Sequence, residues 1–383
     1  MLTKFKDYLR QNDSALSEFL FSRYYEKREK HNATLCGVSM KKEKGECDYI
    51  IKWSKILRYP TPYAYRFYSK YTGITPNIVS QTAANKINEI LNPSRYIGYL
   101  QDKNCFDKIL PTAPFPKTIL RKIQGQLYNN LYKPIYGENI SDQGLYDMLV
   151  PYQKFVVKET IDSDSGRGIY VFELKEGKFI NVKDGERFSK DWLKKCNDCI
   201  VQEALTQAPF MSQFNPSSVN TIRVAVYRSV IDNKPHVLST VIRMGMKDSV
   251  IDNLHGGGRM VRVWENGELA HYCIDQFGRK YDSHNAINFK TETLILPYYN
   301  EIKELVKGLS CHLTNARLIQ WDIAIDENNV PRVLEFNITG FSMWIAQMTG
   351  TPAYGKYTDE IIDYVASHIN ENAKSKSVSH KSK

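Results

Sequence analysis

A segment near the C-terminal end of the chain, W-D-I-A-I-D-E-N-N-V-P-R-V-L-E-F-N, carries residues that could bind a metal ion. Apolar and polar residues alternate in both of its halves, which predicts two strands joined by a polar hairpin turn. A turn centred on Asn328 and Asn329, residue types that tolerate positive φ, sets the register of the two strands. In that register Asp322 lies directly opposite Glu335, so that two carboxylates face each other.

Facing carboxylates of this kind indicate a divalent cation. Cross-strand neighbours lie about 5 Å apart, and like charges at that distance repel, so a purely structural sheet gains nothing from the pair. Asp322 and Glu335, together with the amide oxygen of Asn337 two residues along the same face, supply the hard oxygen ligands that Mg²⁺ prefers when it also binds nucleotide phosphates. The alternative is a solvent-exposed face whose carboxylates point to water.

Length and composition suit a globular protein of two or three compact units, since the 383 residues are 42% hydrophobic and 25% charged. No apolar run approaches the roughly 20 residues that span a bilayer, and the N-terminal segment lacks a signal-peptide core, so we expect a cytoplasmic location. The net charge of +10 favours anionic partners. Part of it lies in residues 371–383, predicted to be a disordered basic tail, and no nucleic-acid partner is expected.

The first 100 residues are predicted to be mainly helical. Ser14 has the residue type of an N-cap and precedes apolar residues at helical spacing. The stretch Tyr49–Tyr71 mixes basic and aromatic residues, and such a mixture is most often an amphipathic helix with its rings packed inward. The alternative is an exposed surface that stacks on sugars or bases, or that contacts a membrane.

From residue 102 onward, segments predicted as helix and strand alternate. Residues 155–158 form a strand of the buried type that ends on Lys158, a position from which a lysine can reach a phosphate group. The following loop contains Ser165, Gly166 and Gly168, whose small side chains let backbone N–H groups close around an anion. A strand resumes at Ile169, which predicts a flap between two strands. The alternative is an ordinary hairpin turn.

Two arginines project from later strands. In N-T-I-R-V-A-V the apolar residues face one way and Arg223 faces the other, and Arg243 lies in the next predicted strand. Such arginines bind phosphate or carboxylate through two hydrogen bonds, or form surface ion pairs. The glycines of D-N-L-H-G-G-G, which begins at Asp252, are costly in chain entropy, which favours a close approach of backbone to a ligand or, alternatively, a mobile loop.

The order of these motifs resembles the ATP-grasp superfamily over roughly residues 100–370. The strings N-T-I-R, I-R-M-G, D-N-L-H-G-G-G and W-D-I-A-I resemble its sugar-transfer-associated branch, which is found among bacterial surface-polysaccharide genes. The resemblance implies an α+β ATP-grasp fold, in which two α+β subdomains clasp ATP, preceded by the mainly helical region. The implied boundaries are 1–100 for that region, 101–370 for the ATP-grasp domain, about 158–205 for its flap-bearing subdomain and about 215–345 for its metal-bearing subdomain.

The resemblance also implies roles for individual residues. It assigns Arg223 and Arg243 to the transferred phosphoryl group and the substrate carboxylate. ATP would contact Lys103, Lys158, Ser165, Gly166, Gly168, Gln202, Glu203 and Leu205, with Lys108 as an alternative to Lys103. Mg²⁺ would be held by Asp322, Glu335 and Asn337. The substrate would contact Asn220, Asp252, Asn253, Gly256 and Gly257.

The implied activity is that of an ATP- and Mg²⁺-dependent carboxylate–amine ligase. A substrate carboxylate attacks the γ-phosphate, and an amine captures the resulting acylphosphate. We expect amidation of a sugar acid or a related precursor of cell-surface polysaccharide, with peripheral contact to the membrane or the polysaccharide machinery left open. The alternatives are kinase-like phosphoryl transfer to a glycan precursor, and a polysaccharide- or nucleic-acid-binding module whose ATP site is not catalytic.

Overall fold

Two large antiparallel sheets, a small two-stranded sheet and a layer of helices make up the described part of the fold. The structure is a computed structural model that describes residues 15–161, 168–247, 249, 252 and 254–379. Ser14, predicted to be an N-cap, and the predicted site residues Ser165, Gly166 and Asn253 lie outside the described residues.

The helices lie mostly at the two ends of the chain. The α-helices of the described residues are α1 (Ala15–Leu35), α2 (Glu46–Trp53), α3 (Tyr63–Thr72), α4 (Gln81–Leu91), α5 (Ile97–Gln101), α6 (Phe106–Ile109), α7 (Asp142–Leu149), α8 (Lys190–Lys195), α9 (Pro209–Ser212), α10 (Tyr299–His312), α11 (Met343–Met348) and α12 (Thr358–Ser379). The last of these continues past residue 371, where the predicted tail begins.

The strands occupy the middle of the chain. They are β1 (Thr118–Ile123), β2 (Gln126–Asn129), β3 (Lys154–Glu159), β4 (Ile169–Lys175), β5 (Lys178–Asn181), β6 (Cys199–Glu203), β7 (Thr221–Arg228), β8 (Pro235–Met244), β9 (Arg259–Val263), β10 (Leu269–Ile274), β11 (Lys280–Tyr281), β12 (Ser283–His284), β13 (Ile287–Asn288), β14 (Leu318–Ile325) and β15 (Pro331–Asn337).

The first sheet has six strands in the order β2-β1-β6-β3-β4-β5. It begins at Thr118, well before residue 158, where the flap-bearing subdomain was expected to start. Strands β3 and β4 pair antiparallel, with Lys158 opposite Ile169, as the predicted flap between two strands requires. Gly168 at the end of the flap has φ +69°, and a Cβ there would meet the Glu159 side chain at 2.8 Å, so this glycine serves the backbone turn.

The second sheet has seven strands in the order β11-β10-β9-β8-β7-β14-β15. Along β7, Val224 and Val226 belong to the core under α10, while Ala225 and Tyr227 belong to the core formed with the N-terminal helices. This alternation confirms the predicted period of two. Because Arg223 shares its face with Ala225, its side chain lies on the face that the N-terminal helices cover.

Most buried residues of the N-terminal helices pack with those of the seven-stranded sheet, α11 and α12, whereas Phe21 and Tyr25 of α1 form a small separate cluster. The basic aromatic stretch forms two helices, α2 and α3, with proline residues between them. Its buried rings are Tyr49, Trp53, Tyr65, Phe67 and Tyr68. The interpretation with rings packed inward is therefore confirmed, and these rings are not exposed for stacking on a ligand. Among the described helices, none is long and apolar enough to cross a membrane.

Candidate active site

The predicted hairpin is present, and Asp322 pairs with Glu335 as the sequence indicated. Nearest the turn, however, the pairs are Ile325 with Pro331 and Ile323 with Val333, so the turn is centred one half-residue earlier than predicted. A bulge then leaves Leu334 without a partner and shifts the register by one residue. The bulge is what brings the two carboxylates opposite each other.

The facing carboxylates belong to a charged row that crosses three neighbouring strands. Arg223 on β7 pairs with Asp322 on β14, and Asp322 pairs with Glu335 on β15. Arg223 donates from Nε to Asp322 Oδ1 at 2.8 Å and from Nη2 to Oδ2 at 2.6 Å. Arg243 Nη1 donates to the same Oδ2 at 3.3 Å. The two guanidiniums hold the pKa of the Asp322 carboxyl well below its usual range although burial opposes this.

A second acidic residue extends the charged row. Arg243 Nη2 donates to Asp252 Oδ1 at 3.1 Å, and the other oxygen of Asp252 accepts hydrogen bonds from the backbone N–H and the hydroxyl of Thr221. Both predicted arginines are therefore tied to carboxylates of the chain, which fixes their guanidinium planes. A fixed guanidinium retains other N–H groups for a ligand, because each carries five donors.

Two lysines complete the cluster. Lys158 lies on β3 and is half-buried, and desolvation lowers its pKa to about 8 against the opposing effect of Glu335. Lys103 begins a 3-10 helix that Asp102 caps by accepting from the Asn104 N–H, and its Nζ lies 3.7 Å from Glu335 Oε2. The cap thus helps to fix the backbone at Lys103, whose ammonium lies at the edge of the hairpin.

Lys108, the alternative to Lys103, points elsewhere. Its Nζ lies 3.6 Å from the centroid of the Tyr132 ring, in a cation–π contact. The structure therefore places Lys103 and not Lys108 beside the carboxylate pair.

The charged row opens into a cavity of about 650 Å³. Of the predicted site residues, its wall contains Lys158, Glu203, Leu205, Arg223, Arg243, Asp252, Asp322 and Glu335. The six-stranded sheet adds Val156, Ile169 and Val171, and the bulged Leu334 comes from the opposite sheet. A cavity of this size with an apolar end and a few convergent charges is typical of a small-molecule site.

Other predicted residues lie beside the cavity. Gln202 is buried, donates to the Pro116 carbonyl at 3.2 Å and lines a small adjoining cavity with Lys103 and Lys158. Asn337 Nδ2 donates weakly to Glu335 Oε1 at 3.4 Å, which keeps the amide next to the carboxylate pair.

Three predicted substrate residues lie apart from the cavity wall. Asn220 is 0% exposed, and its amide nitrogen donates to the Met211 and Asn215 carbonyls at 2.9 and 2.8 Å, which indicates a structural role. Gly257 has φ +91°, and a Cβ on Gly256 would meet nothing within 4 Å. The left-handed backbone of Gly257 favours glycine at that position, and the contact of the glycine run with a ligand stays a prediction.

One wall of the cavity was not predicted from the sequence. Helix α1 contributes Tyr24, Arg28, His31 and Asn32, the turn after β10 contributes Gln276 and Phe277, and the region of α11 contributes Ser342, Trp344 and Ile345. The spacing of the α1 residues is that of one helix face, the only local signal that could have pointed to them.

Comparison with known proteins identifies a family for this chain. A family model described as sugar-transfer associated ATP-grasp matches residues 83–361. No curated protein matches the chain.

Several solved structures are similar to this chain at low identity. The ATP-grasp ligase PsnB, complexed with a phosphomimetic variant of its minimal precursor, Mg and ADP, is 12% identical over 71% of this chain and 61% of its own, with a TM-score of 0.39. N5-carboxyaminoimidazole synthetase from Staphylococcus aureus, complexed with ADP, is 12% identical over 70% of this chain and 55% of its own, with a TM-score of 0.38. The D-alanine-D-alanine ligase from Coxiella burnetii is 11% identical over 76% of this chain and 64% of its own, with a TM-score of 0.39.

The chain spans less than two thirds of the length of each of these proteins. The family match, in contrast, covers most of this chain and includes both sheets and the whole charged row. This chain therefore belongs to the sugar-transfer-associated ATP-grasp family.

Proposed function

We propose that this chain is an ATP- and Mg²⁺-dependent carboxylate–amine ligase that amidates a sugar acid or a related precursor of cell-surface polysaccharide. One observation carries the proposal. Asp322 and Glu335 face each other beside Lys103, Lys158 and the two fixed arginines, at the wall of a cavity between two antiparallel sheets. Membership of the ATP-grasp family supports the assignment of this cavity to ATP.

The two kinds of lining suggest how ATP would lie. Apolar side chains of Val156, Val171 and Leu334 would hold the adenine ring, and the strand end at Glu203 would offer backbone groups to its edge. The phosphates would then extend toward Lys158 and the charged row. In this arrangement the apolar slot orients the nucleotide, and the cations offset the charge of its phosphates.

The donor set fits a magnesium ion. Among the described residues, no group of three or more His, Cys, Asp or Glu side chains could hold a metal, but the predicted set has two carboxylates and an amide. Asp322 accepts three N–H bonds from arginines, so about one of its four lone pairs remains for a metal ion. Glu335 has more lone pairs available for a metal ion. Mg²⁺ is usually bound through one or two carboxylates together with substrate phosphates. Asp322, Glu335 and Asn337 would hold it, and it would neutralise charge on the phosphates.

The reaction needs no covalent nucleophile from the protein. The substrate carboxylate attacks the γ-phosphorus of ATP, and the bond to the bridging oxygen breaks as ADP leaves. An amine then attacks the acyl carbon of the acylphosphate and loses a proton, and inorganic phosphate leaves as the amide forms. Arg223 and Arg243, held in place by Asp322 and Asp252, would stabilise the charge of the transferred phosphoryl group.

Replacing Lys103 by Met is expected to weaken ATP binding at least tenfold. A hydrogen bond from a cation to phosphate contributes about 1.5–3 kcal/mol, and each 1.4 kcal/mol is a factor of about ten. Lys108→Met is the matched control, because that ammonium lies on the Tyr132 ring. Calorimetric titration with ATP and Mg²⁺ measures both affinities, and an equal or larger effect of Lys108→Met would show that the assignment of the two lysines is wrong.

The activity is tested by omitting one substrate at a time. The full chain is incubated with ATP, Mg²⁺, a uronic acid and an amine such as an amino acid, and nucleotides and products are followed by chromatography and mass spectrometry. The proposal predicts ADP and an amide only when both acid and amine are present. ADP formed with a single co-substrate would favour the kinase-like alternative, and AMP with pyrophosphate would rule out an acylphosphate route.

A further inference from the structure

The wall of the cavity that faces the charged row is built by the N-terminal helices. Arg223, Asp322 and Arg243 lie on the face of the seven-stranded sheet that these helices cover, and α1 crosses that face. Whatever reacts with a nucleotide at the charged row is therefore enclosed by α1 as well. These side chains do not belong to the residues assigned above to ATP or metal, so their chemistry bears on the other substrate.

One side of helix α1 is buried at its start and lines the cavity farther along. Phe21, Tyr25, Arg28 and Asn32 follow one another at intervals of four, three and four residues, so they lie on one side of the helix. Phe21 and Tyr25 pack with Leu20, whereas Arg28 and Asn32 line the cavity. On a neighbouring side, Ala33 belongs to the core shared with the other N-terminal helices, which holds this part of α1 in position.

Arg28 is a charged residue of α1 that lines the cavity without an ion pair to the described residues. Glu26 accepts from both Arg23 at 2.9 Å and Lys30 at 2.7 Å. Arg28 forms no ion pair with any described residue within 4.0 Å, and its guanidinium lies 6.0 Å from the Trp344 ring. Burial raises the pKa of the neighbouring Glu29 to about 8, so at neutral pH that carboxyl is mostly protonated and does not compensate the charge of Arg28. The cavity wall thus carries an uncompensated cation.

A buried amide lies on the same wall. Asn32 is only 4% exposed and lines the cavity, yet its side chain forms no hydrogen bond with the described residues. The amide group is therefore open to the cavity, where water or a ligand can satisfy it. An amide on a cavity wall is placed to donate a hydrogen bond to a polar group of a ligand.

Aromatic rings frame this polar pair. Phe277 lies 6.3 Å from the His31 ring, and Trp344 lies beneath the Arg28 guanidinium. The turn that carries Phe277 is fixed by Asp275, whose Oδ1 accepts from the Phe277 N–H at 2.9 Å and from the Arg279 N–H at 3.0 Å. The wall therefore combines a cation, an amide and two aromatic rings.

We propose that this wall binds the acid substrate of the proposed reaction, and that this substrate is a dianion. One carboxylate reacts at the charged row, and a second anionic group, phosphate or carboxylate, pairs with Arg28 while the Asn32 amide donates to the same molecule. The proposal rests on the proposed function, since it takes the charged row to be the place of reaction. It names the substrate class as an acid with a second anionic group.

The test compares probes that differ by one anionic group. The full chain is first saturated with a non-hydrolysable ATP analogue and Mg²⁺, and then titrated with glucuronate, with glucuronate 1-phosphate and with galactarate, which carries two carboxylates. Wild type is expected to bind one of the two dianions at least about tenfold more tightly than glucuronate, the gain typical of a charge-assisted hydrogen bond. The dianion that gains identifies the second group as phosphate or carboxylate.

Variants assign the preference to this wall. Arg28→Gln should bind the dianion no more tightly than glucuronate, and Asn32→Asp, a near-isosteric change that adds a negative charge, should weaken dianion binding at least as much. Arg23→Gln, on the same helix but paired with Glu26, should keep the preference. All three variants should bind the ATP analogue as wild type does, which shows that the fold and the nucleotide site are intact.

Two results would overturn this proposal while leaving the proposed function in place. One is nucleotide binding by wild type without any preference for a dianion, and the other is a preference that Arg28→Gln retains. Failure of wild type to bind the ATP analogue would instead contradict the proposed function, and this substrate site with it.

Discussion

Replacing Asp322 by Asn is expected to lower the free energy of unfolding by about 3–5 kcal/mol, because it removes the buried carboxylate charge that two partly buried guanidiniums share. Arg223 and Arg243 both pair with Asp322, whose side chain is only 3% exposed. The loss is measured by urea denaturation at pH 7 without nucleotide. Wild type should also lose stability as the pH falls below about 4, since the pKa of Asp322 is depressed in the fold and the stabilisation disappears as the carboxyl is protonated. The variant should lose less over that range.

Asp326→Asn is the matched control for this prediction. Asp326 lies on the same hairpin and pairs with a single arginine, Arg332, at 3.0 Å. Its other oxygen accepts from the Asn328 and Val330 N–H groups, which an Asn side-chain oxygen can also do. We expect a loss of about 1 kcal/mol or less. Equal losses for the two variants would mean that the arginine pairs around Asp322 do not support the site.

Lys158→Met is expected to stabilise the protein and to weaken ATP binding. The pKa of Lys158 is lowered from 10.5 to about 8 in the fold. One pKa unit corresponds to about 1.36 kcal/mol, so the buried cation lowers stability by up to about 3 kcal/mol at pH 7. The unfolded chain binds the proton more tightly, so wild-type stability should rise between pH 8 and 10.5 as this cost disappears, and the variant should lack that rise.

ATP affinity should fall at least tenfold in Lys158→Met, because the same cation would contact phosphate. Lys154→Met is the control, since Lys154 begins the same strand and is exposed. Lys154→Met should change neither the free energy of unfolding nor the ATP affinity appreciably. Urea denaturation from pH 6 to 10.5 and calorimetric titration with ATP and Mg²⁺ give both values. A Lys158→Met variant that is less stable than wild type at pH 7 would contradict the account of this lysine.

The carboxylate pair could be predicted from sequence because it depends on local regularities. The alternation of apolar and polar residues identifies both strands, and a pair of asparagines marks the turn. The bulge at Leu334 has no sequence signal, because one additional leucine in an apolar strand cannot be distinguished from the other apolar residues of that strand. The predicted centre of the turn was therefore half a residue too late, which makes the predicted pairs near the turn wrong by one residue. The predicted pairing of Asp322 with Glu335 was right.

The extent of the six-stranded sheet could not be predicted for a different reason. Strand β1, T-I-L-R-K-I, places Arg121 and Lys122 at buried positions, where sequence patterns lead one to expect surface. The Arg121 guanidinium is held by Asp107 and the Asn104 carbonyl, and Lys122 Nζ donates to three carbonyls, including that of Leu193 at 2.9 Å. Partners that are distant in sequence hold both cations in place, and no local pattern reveals these contacts.

The α1 wall was missed because it depends on how layers of the fold meet. Helical spacing relates Tyr24, Arg28 and His31. This face of the helix can be assigned to the site only once the helix is known to cover the charged side of the seven-stranded sheet. The strand periods identified the face that carries Arg223. Which element covers that face is a long-range contact that the sequence pattern does not specify.

Calorimetric titration with ATP, with and without Mg²⁺, tests the central claim most directly, on wild type and on Glu335→Gln. Wild type should bind ATP more tightly when Mg²⁺ is present. In the variant Mg²⁺ should have a clearly smaller effect on ATP affinity, since one metal-binding carboxylate becomes an amide. Glu173→Gln, which removes an exposed acid on β4 paired with Lys175, should behave as wild type. Binding of ATP that is absent, or that Mg²⁺ strengthens equally in wild type and Glu335→Gln, would contradict the assignment of the facing carboxylates to the metal.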